Sequence, residues 1–202
     1  MTTEAIEGYR QAAPELIDRY EALAADVVLE PVLHLFPKTP CRVLDVGAGT
    51  GRNPAWFALQ GHRVTACEPV EAFREAGKHR HPDQDVRWVD DALPHLDAVK
   101  SLADSFDLVL LSAVWQHVDL PDRQLAMDSL RSLMAPDGTL IMSVRHGPGA
   151  PGRPVYEAAD AETEALADGC GLKLVFRRQT ESIQAANKAA GVTWSWMAFA
   201  AR

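Results

Sequence analysis

One decapeptide constrains this chain more than any other stretch: Val43-Leu44-Asp45-Val46-Gly47-Ala48-Gly49-Thr50-Gly51-Arg52. Its start, from Arg42 to Val46, is a short apolar run with β-branched residues, which reads as a buried strand. Glycines at alternating positions then let the backbone turn tightly and approach a ligand with no Cβ in the way. A helix expected over 53–60 comes next, with Pro54 in its first turn and free N–H groups at its N-terminus. Strand, glycine turn and helix in this order belong to open α/β sheets, in which ligands bind beyond the carboxyl ends of the strands.

The rest of the chain repeats the alternation. Apolar runs predict strands at 62–67, 86–89, 106–114 and 139–145, and helices at 70–78, 96–103, 122–134 and 158–168. Such alternation implies a parallel sheet covered on both faces. The last two strands, 172–178 and 194–200, break the rhythm, because 181–193 has no strong helical face. They are expected to form an antiparallel hairpin. Ahead of the sheet, residues 14–36 place Leu16, Tyr20, Leu23 and Val27 at three- and four-residue steps, which reads as helix. Pro14 suits its first turn, and Pro31 would kink it or start a second helix. The expectation is an α/β fold: a mostly parallel seven-stranded sheet with helices on both faces and a C-terminal antiparallel hairpin. It forms one domain over 1–202, with an N-terminal helical cap at 1–40 and a ligand-binding core at 41–202.

Composition sets limits on partners. The chain has 202 residues, 47% hydrophobic and 24% charged, as in a soluble globular protein. No apolar run approaches the roughly 20 residues that span a bilayer, and the first ten residues lack a signal pattern. No membrane association and a cytoplasmic location are the default. A net charge of −8 disfavours long nucleic acids, which are bound mainly through neutralised phosphates. Cys41, Cys67 and Cys170 are far apart and form no C-x-x-C pair, so they read as buried free thiols. His79 and His81 share a polar turn with no third ligand in sight, so no metal is expected.

The acids indicate the ligand. The loop is G-x-G-x-G and departs from the dinucleotide pattern G-x-G-x-x-G. Asp45, two residues before the first glycine, suits an ammonium group and would repel a pyrophosphate. Glu68 ends the second strand, 21 residues after Gly47, where an acid can accept hydrogen bonds from ribose hydroxyls. The third strand ends in Val89-Asp90-Asp91-Ala92, where a carboxylate can accept from an adenine 6-amino group. An amine, a diol and an exocyclic amine match S-adenosylmethionine (SAM), which carries no phosphate.

The segments VLDVGAGTGR, ACEP, DDALP, FDLVLLSAVWQHV and LMAPDGTLIMSV, in this order across roughly 42–146, resemble the successive motifs of class I SAM-dependent methyltransferases. The resemblance implies a Rossmann-like fold, SAM as cofactor and S-adenosylhomocysteine (SAH) as its product. It implies that Asp45, Gly47, Gly49 and Gly51 hold the methionine end, Glu68 the ribose, and Asp91 the adenine amine. Asp90 is the register-shifted alternative to Asp91. Ala48, Pro69, Ala92 and Ser112 adjoin these positions and are counted with them. Where the family often has two histidines after the fourth strand, this chain has Gln116-His117.

Acceptor chemistry is expected where the fourth and fifth strands end. His117 can titrate near neutral pH and take a proton, which makes it the candidate catalytic residue. Trp115 either stacks on substrate or fills core. Arg145 and His146 end the fifth strand, ahead of a Gly/Pro-rich loop at 146–156 that reads as a lid. Arg145 and Arg153 could clamp a carboxylate or phosphate, or could be solvated loop charges. Tyr9, Arg19 and Tyr20 of the cap could reach the ligand. Tyr20, Trp115, Arg145 and His146 are thus the candidate substrate-binding residues. The expected function is methyl transfer from SAM to a small-molecule O, N or S acceptor, by a monomer or homodimer. The alternatives are a protein or RNA acceptor, or a SAM-binding module without turnover. The loop pattern and Asp45 disfavour an NAD-dependent oxidoreductase.

Overall fold

In the computed structural model, which describes residues 1–202, the chain begins with helix α1 (Thr3–Glu21), helix α2 (Ala25–Leu29) and a 3-10 segment (Glu30–Leu35). The alternating part comprises β1 (Arg42–Val46), α3 (Arg52–Leu59), β2 (Arg63–Cys67), α4 (Glu71–Arg80), β3 (Val86–Val89), α5 (Asp97–Lys100), β4 (Phe106–Leu111), α6 (Arg123–Leu133), β5 (Met134–His146) and α7 (Asp160–Gly169). The chain closes with β6 (Leu172–Glu181), α8 (Ala185–Ala189) and β7 (Thr193–Ala201).

The strands form one sheet in the order β3-β2-β1-β4-β5-β7-β6. The first five in sequence run parallel. β7 lies antiparallel between β5 and β6. Both faces are covered, and side chains of a strand alternate between them. Leu44 and Val46 of β1, with Val109 and Leu111 of β4, enter a 25-residue core on one face. Val43, Leu108 and Leu110 enter a 12-residue core on the other, with Phe57 of α3. Asp45 shares the parity of Val43, so a carboxylate is carried into a buried strand.

Because β1 pairs with both β2 and β4, the strand order turns about β1, and a crevice opens past the carboxyl ends of β1 and β4. The glycine loop leaves β1 at this edge. β4 gives way at Leu111 to a tight turn, whereas its apolar run predicts strand as far as 114. Ala113 sits in that turn at φ 63°, a left-handed conformation that costs a non-glycine residue about 1–2 kcal/mol. Its N–H donates to Ser143 Oγ at 2.8 Å, and its carbonyl accepts from Gln116 Nε2 at 2.7 Å. These bonds hold the turn and aim the short 3-10 segment Trp115–His117 into the crevice.

Three expectations need correction. The cap helix starts after Thr2, not at Pro14, which lies inside it. Thr2 Oγ1 accepts from the Ala5 N–H at 3.3 Å. The buried stripe Ala5, Ala13 and Leu16 docks the helix, and this burial outweighs the roughly 3 kcal/mol cost of an interior proline. The segment 181–193 contains the five-residue α8 between the two closing strands. Of the three free cysteines only Cys67 is fully buried; Cys41 and Cys170 are half-buried.

Candidate functional site

A cavity of about 440 Å³ lies at the carboxyl edge of β1 and β4, within the range of ligand pockets. Its floor includes the glycine loop, and its roof includes α1 and the loop at 150–155. The cap is fastened over it from several sides. Arg52 Nη1 donates to the Tyr20 carbonyl at 3.1 Å, Thr50 Oγ1 donates to Glu21, and Arg19 donates to Gln184 Oε1 at 2.8 Å. Tyr9 and Tyr20 pack against Phe73 of α4, with centroids 6.4 and 5.9 Å away.

The glycine loop is closed on itself. The N–H groups of Gly47 and Ala48 donate to the Cys67 carbonyl at 2.8 and 3.0 Å, and that of Gly51 to the Ala48 carbonyl at 3.1 Å. The Gly49 N–H donates to Glu68 at 2.8 Å. The N–H groups of Gly47, Ala48, Gly49 and Gly51 are therefore not free for a phosphate. Gly47, at φ 73°, also leaves no room for a side chain: a Cβ there would lie 2.4 Å from Val114 Cγ2.

Around this loop the charges are unbalanced towards the negative. Asp45 is buried, and neither of its carboxylate oxygens has a hydrogen-bond partner. Burial pushes its carboxyl up to about 8; the Arg52 guanidinium pulls it back and the Glu68 carboxylate adds to the rise. Glu68 accepts from the N–H groups of Gly49 and Val70, yet burial still pushes it up to about 7. Two buried carboxyls with depleted solvation, one of them unpartnered, are suited to a cationic ligand. These features fit the amino-acid end of SAM, whose ammonium would meet Asp45. Arg52 and Asn53 also face the cavity. Their only signal in the sequence is the positive residue that ends the glycine motif.

The acceptor side centres on His117, which is buried. Its Nδ1 lies 2.7 Å from the Pro154 carbonyl, which can only accept, so Nδ1 carries the hydrogen. Nε2 is then an acceptor, and Tyr9 Oη lies 2.8 Å from it. Burial, above all, pulls His117 down to about 4. The Pro154 contact opposes this, and the Arg153 and Arg145 charges add to the fall. The imidazole is therefore neutral at pH 7. Gln116 and Ser112 share this wall, with Arg145, Arg153, Trp194 and Trp196 beyond.

The candidate residues divide by whether they reach the cavity. Gly47, Ala48, Gly49, Glu68, Ser112, His117, Tyr20 and Arg145 line it. Gly51 lies behind, at the N-terminus of α3 with φ 84°, and Asp45, buried at the end of β1 beneath the glycine loop, does not line it either. Trp115 does not line it. It is fully buried in the larger core, and its Nε1 donates to Thr163 Oγ1 at 3.2 Å. His146 points away, 3.1 Å from Asp160 and 2.9 Å from Ser195 Oγ. A one-residue step from Arg145 turns it to the opposite sheet face. Asp90 is exposed and ion-paired with Arg74 at 2.9 Å. Asp91 accepts from the N–H groups of Ala92 and Val99 at 2.8 and 3.0 Å. These two acids, with Pro69 and Ala92, stand outside the cavity wall. His81 of the His79/His81 turn lies 3.2 Å from Glu21. No helix is long and apolar enough to cross a membrane.

Comparison with known proteins agrees with this architecture. Residues 44–142 match the family profile described as a methyltransferase domain. A demethylmenaquinone methyltransferase from Renibacterium salmoninarum is 37% identical over 117 residues, covering 57% of this chain and 46% of that protein. A ubiquinone biosynthesis O-methyltransferase from Methylocella silvestris is 33% identical over 82 residues, covering 41% and 32%. The chain thus spans less than half the length of these curated relatives. The fold matches that of Burkholderia thailandensis 1,6-didemethyltoxoflavin-N1-methyltransferase, solved with 1,6-didemethyltoxoflavin and SAH. The TM-score is 0.75 and the identity 23%, over 98% of this chain and 87% of that one. Magnesium protoporphyrin IX methyltransferase from Synechocystis, solved with SAM, gives a TM-score of 0.64 at 13% identity, over 97% and 81%. Strand order and glycine loop are those of a Rossmann-like fold, as in these solved methyltransferases. The profile match, to a methyltransferase domain, covers just under half of the chain.

Proposed function

We propose that this protein transfers a methyl group from SAM to a small-molecule O, N or S acceptor. The observation that carries the reading is a glycine loop whose Gly47, Ala48, Gly49 and Gly51 N–H groups are already bonded, beside the unpartnered, buried Asp45. It favours a cationic adenosyl ligand over a pyrophosphate. In this reading Asp45 and the glycine loop hold the methionine end, with Arg52 answering its carboxylate, and Glu68 takes the ribose hydroxyls. Asp91, which also accepts from Ala92 and Val99, or the ion-paired Asp90 beside it, takes the adenine amine if the ligand extends past the cavity wall. Residues 1–40 act as the cap and 41–202 as the binding core.

Bound SAM supplies a methyl carbon already activated as a sulfonium, so the chain's task is alignment, exclusion of water and proton removal. Alignment alone can contribute several kcal/mol. An acceptor O–H or N–H beside Tyr9 gives its proton to Tyr9 Oη, while the Tyr9 proton passes to His117 Nε2. His117 gains one proton and Tyr9 is left unchanged. The Pro154 carbonyl keeps the imidazole in the tautomer that this requires. The fastened roof supports a small acceptor over a macromolecular one, as do the net charge of −8 and the small-molecule names of the relatives.

The test uses SAM labelled in its methyl group. The protein is incubated with either the dialysable or the macromolecular fraction of a cell extract. Label transferred to the dialysable fraction supports this reading. Label confined to protein or RNA would overturn the choice of acceptor.

A further inference from the structure

We infer that the methyl acceptor is a small aromatic oxyanion whose negative charge sits between Arg145 and Arg153. This rests on the methyl-transfer reading above and deepens it.

The cations in the cavity wall differ in whether they have a counter-charge. Arg178 is paired with Glu30 at 3.3 Å; Arg52, without an ion pair, donates to the Tyr20 carbonyl and Asn53 Oδ1, and Arg19, likewise without one, donates to Gln184 Oε1. Arg145 and Arg153 form no ion pair. Arg145 is 9% exposed. Its Nη2 donates to the Pro148 carbonyl at 2.6 Å and to Asn187 Oδ1 at 3.4 Å, both neutral acceptors. The Arg153 guanidinium lies over the Tyr9 ring, 5.3 Å from its centroid. The two charges repel one another, and each also disfavours a proton on His117.

A chain with 28 acids and 20 Lys and Arg residues has carboxylates to spare, and most of its other arginines use them. Arg145 and Arg153, which have no carboxylate partner and both act on His117, are therefore informative. Desolvating a charge without a partner is costly, and the arrangement is relieved by an anion arriving from solution. A guanidinium presents a planar fork of donors that matches the oxygens of an oxyanion.

The neighbouring walls give the rest of the class. Trp194 carries Arg145 over its ring at 5.4 Å. Trp196 and Tyr9 also line the cavity. These flat apolar faces suit a planar ring. The handle is also close to the proton acceptors, because Arg153 lies over the same Tyr9 whose hydroxyl meets His117. An anion bound there offsets the Arg153 and Arg145 charges, which add to the burial that lowers His117, and so acts in favour of proton uptake by that group.

The test is a set of aromatic carboxylic acids, each matched with its primary amide, offered to the SAH complex and read by thermal shift and calorimetry. Acids of the set should bind about tenfold or more tightly than their amides. That preference should fall by about tenfold in Arg153→Gln, and likewise in Arg145→Gln, while the affinity for SAH is kept. The Arg153 side chain donates no hydrogen bond within the protein, so its variant keeps the test valid even if Arg145→Gln disturbs the loop at Pro148. Amides that bind as well as acids would overturn the inference. So would an acid preference that survives both variants, or no acid binding at millimolar concentration while SAH binds. Failure of SAH itself to bind a folded protein would remove the underlying reading first, and is seen in the first titration.

Discussion

Substituting Asp45→Asn tests the electrostatics of the glycine loop in a form that stability can report. An aspartate in the unfolded chain ionises near 3.8, but burial holds Asp45 up to about 8, with Glu68 adding to the rise. Between these values the folded protein keeps a proton that the unfolded chain releases. Ligand-free stability must then fall as pH rises, with the contribution fully present below about pH 4 and lost by about pH 8. The limiting slope for one such group is about 1.4 kcal/mol per pH unit. Glu68, raised to about 7, adds in the same direction over the lower part of that range. Asparagine is nearly the same shape and cannot ionise. The variant should lose at least about 2 kcal/mol less than wild type between about pH 5 and pH 8, measured by urea unfolding without ligand. It should also bind SAH at least about tenfold more weakly, because the ammonium loses its charged partner. A wild-type stability flat across this range, or an identical pH dependence in the variant, would refute the assignment of an uncompensated carboxyl.

Three further outcomes are expected from the same geometry. Gly47→Ala combines a left-handed residue with a Cβ placed 2.4 Å from Val114; it should cost about 2–5 kcal/mol by urea unfolding, and a loss under about 0.5 kcal/mol would mean that the turn adapts. Tyr9→Phe should lower kcat by about tenfold to a hundredfold on any acceptor turned over, with SAH affinity nearly unchanged. His117→Ala should do the same, and the double variant should be little worse than either alone; additive losses would separate the two residues. Trp115→Phe removes the hydrogen bond to Thr163 and should cost about 1–3 kcal/mol, with the SAH dissociation constant within about twofold; a large loss of affinity would return Trp115 to the site.

Much of this architecture is readable in the chain, for identifiable reasons. The short parallel strand β1 coincides with its apolar run because a buried strand needs continuous β-branched and apolar residues, and the half-buried edge strand β3 is marked by its two valines and Trp88. The closing antiparallel pair is legible because the segment before β7 has too little helical pattern for a parallel crossover, and the α8 it holds is only five residues long. The start of α1 is not, because Pro14 looks like a beginning, and only docking onto Phe73 shows why the helix runs through it. The end of β4 is hidden too. Ser112-Ala113-Val114 continues the apolar pattern, and only the hydrogen bond from Ala113 to Ser143 reveals the turn. Glu68, which lines the cavity, is legible because an acid at the end of a buried strand has no core role, whereas Asp45 lies buried behind the wall. Trp115 and His146 are not separable from true wall residues by sequence. A tryptophan or histidine next to a cavity reads alike whether it turns inward or outward, and a single residue of register decides. Arg153 and Tyr9 come from a loop and a cap far apart in the chain, so their meeting at His117 is a tertiary fact.

The most direct measurement is a calorimetric titration of the purified, folded protein with SAH and, separately, with NAD. The account predicts saturable binding of SAH and none of NAD. Binding of NAD, or no binding of SAH, would contradict the reading of the glycine loop as a cradle for a cationic adenosyl ligand.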